Sequence, residues 1–413
     1  MTMPRLLQTL AMILVVNVAM AQSWQGQFDR SDSVLRVRNP EFSISPPETM
    51  TAELMWRLDD NAEDHILGRV NKIETGVDGC AYLLDEQVKE IAVYDAEGRY
   101  LRSLGRDGDG PGEFRMPWDL VARDDGSILV LQIFPGKVTG FSSTGDPLPS
   151  YPLPPVGTSN GAMLSDADQS SLGLVAHQYQ IWVDDDGGLT KTQVLVAIDA
   201  EGEVVTTYCE RTTQRHPGDN VRVEGVYWDF LSDWDVSPHD QVIVRTSWED
   251  YELTVYAPNG DIDRIITREY SSRQRRPELV SALQKYNDEA YEGRRWRANV
   301  GPIVYRASEQ DGDIQMFASR GDASIWVLTS RGAYDVPEGV LGTFDVFDNE
   351  GRFIRQVTLL GEGDYWQDQF IISRDRLYVI TNVGSIVPGW HRPGGADRSE
   401  EAQREILCFM LPD

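Results

Sequence analysis

The chain is poor in cysteine, histidine and long apolar runs, and each shortage removes a class of protein. Cys80, Cys209 and Cys408 are the three cysteines in 413 residues, too few and too scattered for a disulfide framework or a cysteine-built zinc cluster. Cys80 and Cys408 read as small buried strand residues, with one bridge left open in an oxidising compartment. Basic residues are also scarce: 38 Lys and Arg stand against 66 Asp and Glu, a net charge of −28. That balance repels nucleic acid and anionic membranes and favours solubility, while divalent cations or cationic ligands stay compatible with it. No asparagine begins a glycosylation acceptor, no Gly-x-Ser-x-Gly elbow occurs, and residues 105–110 lack the strand-to-helix setting of a phosphate loop.

The one apolar run of any length lies at the start. Arg5, the apolar residues 6–16 and the small residues Ala19 and Ala21 have the layout of a secretory signal peptide over residues 1–21, cleaved before Gln22. A retained transmembrane anchor is the alternative, but the run is short for a span. The expected location is the periplasm or the outside of a bacterial cell, with no stable membrane insertion after signal removal.

What the chain has in quantity is alternation punctuated by glycine. Residues 81–98, 128–145 and 243–260 align without a gap: Ile91, Val138 and Leu253 match, then Tyr94, Phe141 and Tyr256, then Gly98, Gly145 and Gly260. Each window is two alternating strands closed by a glycine turn, and a unit repeated in one chain marks a repeat architecture. A looser third unit uses 172–176, 179–183 and 193–198. A fifth uses 324–329 and 343–347, and a sixth 376–381 and 405–409. The turn glycines 98, 145, 202, 260 and 351 are spaced 47, 57, 58 and 91 residues apart, near the length of a propeller blade at first and longer later.

The expected fold is therefore all-β, a six-bladed β-propeller over residues 51–413 behind a lead segment, 22–50. One helical insertion, about 273–297, sits in the connection between the fourth and fifth blades. Its helix is 277–292, with Pro277 at a first helical position and Leu279, Leu283 and Tyr286 at helical spacing. Its basic flanks, Arg273, Arg275, Arg276, Arg294, Arg295 and Arg297, read as a solvated or salt-bridged rim. Closure of the ring is expected from residues 53–58, or 34–37, pairing with 405–409. Such closure leaves no open array of strand edges.

From residue 104 to 120, LGRDGDGPGEFRMPWDL, followed by Asp125, Gly126 and Lys137 with Val138, the chain resembles NHL-repeat propellers, and in particular bacterial six-bladed members of the TolB-like/NHL class. The resemblance implies that this stretch connects one blade to the next, with Phe114 and Pro117 packing between them. Asp85 keeps the acidic residue that the pattern places before the hairpin, whereas Gln132 and Ser247 replace it in later units. The Arg position of the pattern holds Glu90, Lys137 and Glu252. A propeller hosts many functions, so the resemblance speaks to fold.

The glycine-rich loop offers Arg106, Asp107, Asp109 and Glu113 as candidate binding residues, with Trp118 beside it. Its three carboxylates are hard-cation ligands in type, but the loop lacks the count and spacing of a calcium loop. Residues 184–187 and 311–313 are turn chemistry first. Histidines 65, 177, 216, 239 and 391 show no short ligand spacing, although a propeller channel can gather residues distant in sequence. Trp118, Trp228 and Trp366 lie in connections and are the better aromatic binding candidates; Trp182, Trp234, Trp248, Trp326 and Trp390 suit packing. The function read from these features is an exported, monomeric scaffold that binds a protein or glycan partner through loops on one face, at 156–172, 207–235, 267–323 and 382–404. No catalysis is evident and no cofactor is expected. The alternative is a metal-dependent propeller enzyme with a site at the central channel and lactonase-, esterase- or amidating-lyase-like chemistry; zinc would point to chemistry at the channel and calcium more to structural support.

Overall fold

The computed structural model describes residues 23–30, 33–59, 67–133, 136–154, 163–183, 185, 187–216, 221–225, 233–291, 304–383 and 404–412. The expected signal peptide, His65, His391, Trp228, Trp390 and the Arg294–Arg297 flank of the insertion lie outside them. Among the described residues no helix is long and apolar enough to cross a membrane.

Four strands come first: β1 (Gln27–Asp29), β2 (Leu35–Asn39), β3 (Glu48–Thr51) and β4 (Glu53–Asp59). Blade 1 follows as β5 (Val70–Thr75), β6 (Ala81–Asp85), β7 (Glu90–Tyr94) and β8 (Tyr100–Leu104). Blade 2 is β9 (Pro117–Ala122), β10 (Ile128–Gln132), β11 (Lys137–Phe141) and β12 (Pro147–Tyr151). Blade 3 has the long strands β13 (Met163–Ser170), β14 (Gly173–Val183), β15 (Leu189–Ile198) and β16 (Val204–Arg215). After β17 (Val221–Val223), blade 4 is β18 (Trp234–Val236), β19 (Val242–Arg245), β20 (Glu252–Tyr256) and β21 (Ile262–Arg268). The insertion carries α1 (Pro277–Tyr291) and β22 (Val304–Arg306), which pairs in parallel with β17. Blade 5 is β23 (Ile314–Ser319), β24 (Ile325–Thr329), a short α2 (Ser330–Tyr334), β25 (Val340–Phe347) and β26 (Phe353–Leu360). Blade 6 joins β27 (Gln369–Ser373), β28 (Arg376–Ile380) and β29 (Glu405–Met410) to β4 from the start of the chain. The fold is a six-bladed β-propeller.

Period-two alternation explains why the middle strands of each blade are apolar throughout. Successive side chains point to opposite faces, and in a propeller both faces of a blade meet another blade. In β6, Leu83 packs toward blade 6 with Trp56 and Tyr378, while Leu84 packs toward blade 2 with Phe114 and Val130. Six hydrophobic clusters fill the six junctions in this way, including the one between blades 6 and 1.

The closure expected from residues 53–58 is present: β4 runs antiparallel to β29, with Arg57 opposite Leu407. The alternative segment, 34–37, goes elsewhere. As β2 it lies parallel to β21 on the rim of blade 4, and β3 lies parallel to β26 on blade 5. The lead thus crosses the rims of blades 4, 5 and 6 in turn. Asn39 rivets it there. This 3 % exposed side chain accepts from Trp24 Nε1 (2.9 Å) and Phe353 N (2.7 Å) and donates to the carbonyls of Thr267 (3.1 Å) and Gly351 (2.9 Å).

The five turn glycines all have positive φ and close the outer hairpins at one end of the ring. At Gly98 a Cβ would lie 2.6 Å from Trp56 Cγ of the neighbouring blade, so both conformation and contact require glycine there. Three local readings are corrected. Residues 172–176 and 179–183 fall in one strand, β14, and the connections drawn at 156–172 and 207–235 contain all of β13 and much of β16. Cys80 sits half-buried just before β6 rather than inside a strand, and all three cysteines are free.

Candidate functional site

Inner strands β5, β9, β13, β18, β23 and β27 line a central channel of about 2010 Å3. Every inner strand starts at the same end of the ring, and the connections at that end are the long ones. At the other end the hairpins are tight. The insertion stands on the loop-rich face. Buried ion pairs hold it, Arg275 with Glu224 and Asp311 (2.6 Å each) and Arg273 with Asp311 (2.6 Å), and Arg273 also reaches the exposed Asp335 (2.7 Å). Arg273 and Arg275 of the basic flank are thus salt-bridged framework, while Arg276 is exposed.

Aromatic rings surround the loop-rich mouth. Trp118 opens β9, Trp234 opens β18, and Tyr365 and Trp366 precede β27, so the rings belong to blades 2, 4 and 6; Trp248 joins them from the turn after β19. The blade 6 rings are braced from behind, with Tyr334 4.6 Å from Trp366 and the Arg273 guanidinium 5.2 Å from the Tyr334 ring. Arg245 lies 5.3 Å from the Trp248 ring and pairs with Asp233 at 3.0 Å. Arg69 pairs with Glu86 at the same mouth.

Directly below, in two blades, an aspartate follows the tryptophan. Asp119 accepts the Ala167 N–H of blade 3 (3.0 Å), and Asp235 accepts the Ser319 N–H of blade 5 (2.5 Å). Each carboxylate therefore stitches its blade to the next while facing the channel. Lys72 reaches Asp119 (3.1 Å) and Glu74 (3.4 Å). Although burial opposes its charge, these carboxylates raise the Lys72 pKa. Burial pushes the Asp235 carboxyl up to about 7 against its backbone hydrogen bonds. Burial, and then the nearby Asp235, push Asp168 well above the usual carboxylate range.

Ser165, His177 and Asp166 come together on blade 3, but not as a nucleophilic triad. Ser165 Oγ (2.5 Å) and Asp166 (3.8 Å) both approach Nδ1 of the imidazole. An activated serine requires the ring nitrogen opposite the carboxylate. His216 is exposed beyond the end of β16, and His239 lies in the β18–β19 turn at the opposite end of the ring. Among the described residues no three His, Cys, Asp or Glu side chains group as a metal ion requires.

The glycine-rich loop lies away from the channel wall as the connector between blades 1 and 2. Glu113 accepts from Arg106 (2.7 Å) and Gly110 N (2.8 Å), Arg115 grips Asp109 with two bonds (2.8 and 2.7 Å), and Asp107 pairs with Lys89 (3.0 Å). Phe114 is fully buried in the blade 1–2 junction. Of the five binding candidates only Trp118 lines the channel. Trp366 does so too, whereas Trp326 is core and Trp182 is exposed on β14. Sequence reasoning passed over Asp119, Asp168 and Asp235. The signal for two of them was a Trp-Asp pair at the start of the inner strand, at 118–119 and again at 234–235.

The DUF5128 family model, described as a 6-bladed beta-propeller, matches residues 60–213. Similar solved structures include an exported protein of Bacteroides fragilis, 11% identical, covering 91% of this chain and 100% of that one with a TM-score of 0.42. A DUF4221 family member from Bacteroides vulgatus is 13% identical and covers 87% and 97%, with a TM-score of 0.45. Regucalcin, a calcium-binding protein of Agrobacterium tumefaciens, is 10% identical and covers 89% and 97%, with a TM-score of 0.41. No curated protein matches the chain.

Proposed function

We propose that the chain is an exported binding module whose protein or glycan partner seats at the loop-rich mouth of the central channel. The observation that carries this reading is the collar of Trp118, Trp234, Trp248 and Trp366 at the entrance of a channel of about 2010 Å3. Aromatic rings supply large contact area at little conformational cost, and loops on a rigid frame are where binding residues concentrate. Export rests on the layout of residues 1–21. The test is site-directed photocrosslinking against the native host's envelope fraction, with the probe at Ile133 on the collar side or at Pro238 at the opposite mouth. Adducts form at Ile133, and they disappear in a Trp118→Ala background. Equal labelling at both ends, or labelling at Pro238 alone, refutes the assignment of the face.

A further inference from the structure

Resting on that binding reading, we infer that the ligand is a neutral saccharide chain entering the channel end-on through the aromatic collar. Four observations converge on this chemistry. The first is size. About 2010 Å3 exceeds the roughly 300–1,000 Å3 of a usual small-molecule pocket and suits an oligomer. The second is the spacing of the rings on alternate blades, which presents flat apolar faces at separate points around the entrance, as the C–H faces of successive sugar rings need.

The third is charge. At the mouth, guanidinium meets carboxylate within the protein itself, Arg245 with Asp233 and Arg69 with Glu86, and below them Lys72 meets Asp119 and Glu74. Carboxylate oxygens and guanidinium N–H bonds of this kind can also meet hydroxyls, and the mouth pairs balance each other in charge. Burial also favours the protonated form of Asp168 and draws Asp235 toward it, so that these carboxyls can offer an O–H as well as an acceptor. The fourth is Asn71. Its amide N–H holds the Trp118 carbonyl (3.2 Å), which leaves its buried Oδ1 an acceptor with no partner among the described residues. One ammonium, Lys72, faces Asp119, Glu74 and Asp166, so a cationic peptide is the rival ligand that the titration has to separate from a saccharide.

The experiment is a tryptophan-fluorescence titration of the mature chain. The probes are hexaoses of β-1,4-linked glucose, xylose, mannose and N-acetylglucosamine and of α-1,4-linked glucose, beside hexalysine and a Gly-Ser hexapeptide. At least one hexaose binds, its trimer binds more weakly, Trp118→Ala costs about tenfold in affinity, roughly 1.4 kcal/mol, and Trp118→Phe recovers most of it. Thermal melting of each variant shows that it is folded. Saturable binding of hexalysine that depends on Trp118, with no hexaose bound, overturns the saccharide assignment and leaves the binding face standing. No binding of any hexaose to a folded chain overturns it as well, and the photocrosslinking at Ile133 then judges the binding reading on its own.

Discussion

Removing the Asn39 side chain tests whether the lead segment is a structural part of the ring. In Asn39→Ala, four hydrogen bonds at a 3 % exposed position disappear together. The Phe353 N–H loses this acceptor inside the protein, and the carbonyls of Thr267 and Gly351 each lose a donor. A buried group stripped of its partner costs about 1–3 kcal/mol. Because carbonyls tolerate the loss better than N–H groups, the total should be about 3 kcal/mol rather than the sum of the maxima. With an unfolding entropy of about 2.1 cal/mol/K per residue, a chain of this length loses roughly 4 °C of Tm. The assay is scanning calorimetry, with hydrogen exchange to localise the effect to β2, β21 and β26. Asn39→Asp keeps both acceptor bonds but loses both donors and buries a carboxylate, so it should be no better than alanine. A Tm within 1 °C of the parent for Asn39→Ala would show that the lead is an ornament and the reasoning wrong.

Two further outcomes follow from buried charge. Arg268 reaches Asp345 (2.5 Å), a fully buried carboxylate that also accepts from Tyr251 (2.9 Å) and Gln356 (2.9 Å). Arg268→Ala strands that charge between blades 4 and 5 and should cost about 3–5 kcal/mol, read from urea midpoints; a loss under about 1 kcal/mol contradicts it. Asp235 has a folded pKa raised to about 7, so the folded state holds the proton more tightly than the unfolded chain. Its contribution therefore declines as pH rises from the usual carboxylate range to about 7 and is level above that. Asp235→Asn should lose ground to the parent at pH 5, where it forfeits a backbone acceptor, and recover relative to it by pH 8. Parallel stability curves for the two proteins across that range refute this.

Much of the ring was legible because its signals are local. A turn glycine at positive φ in each of the first five blades and alternation on both sides of it are properties of a dozen residues, and Gly98, Gly145, Gly202, Gly260 and Gly351 carry them in plain view. The pairing of β4 with β29 was legible from the need to leave no open edge. The long hairpin of blade 3 was not, because Gln178 and Gln180 interrupt the apolar run of β14 while remaining buried. The channel was harder still. Asp119, Asp168 and Asp235 share no sequence neighbourhood, and only the curvature of the ring brings them to one axis. Arg106, Asp107, Asp109 and Glu113 drew attention as a visible cluster, yet their ion pairs are made within the connector or, for Asp107, with Lys89 of blade 1.

The passage of the lead over blades 4, 5 and 6 also has a consequence in time. A chain made N-terminus first delivers β2, β3 and β4 before any of their partners in those blades exists. Leu35 must wait for Arg264, Glu48 for Val357 and Arg57 for Leu407. Blade 6 therefore cannot be finished until the last residues arrive, and β2 and β3 cannot join blades 4 and 5 until residues 264–268 and 357–360 have been made. Contacts of such long separation make folding slow. The same delay leaves the first residues the longest exposed to proteases and to strand-pairing with the wrong neighbour.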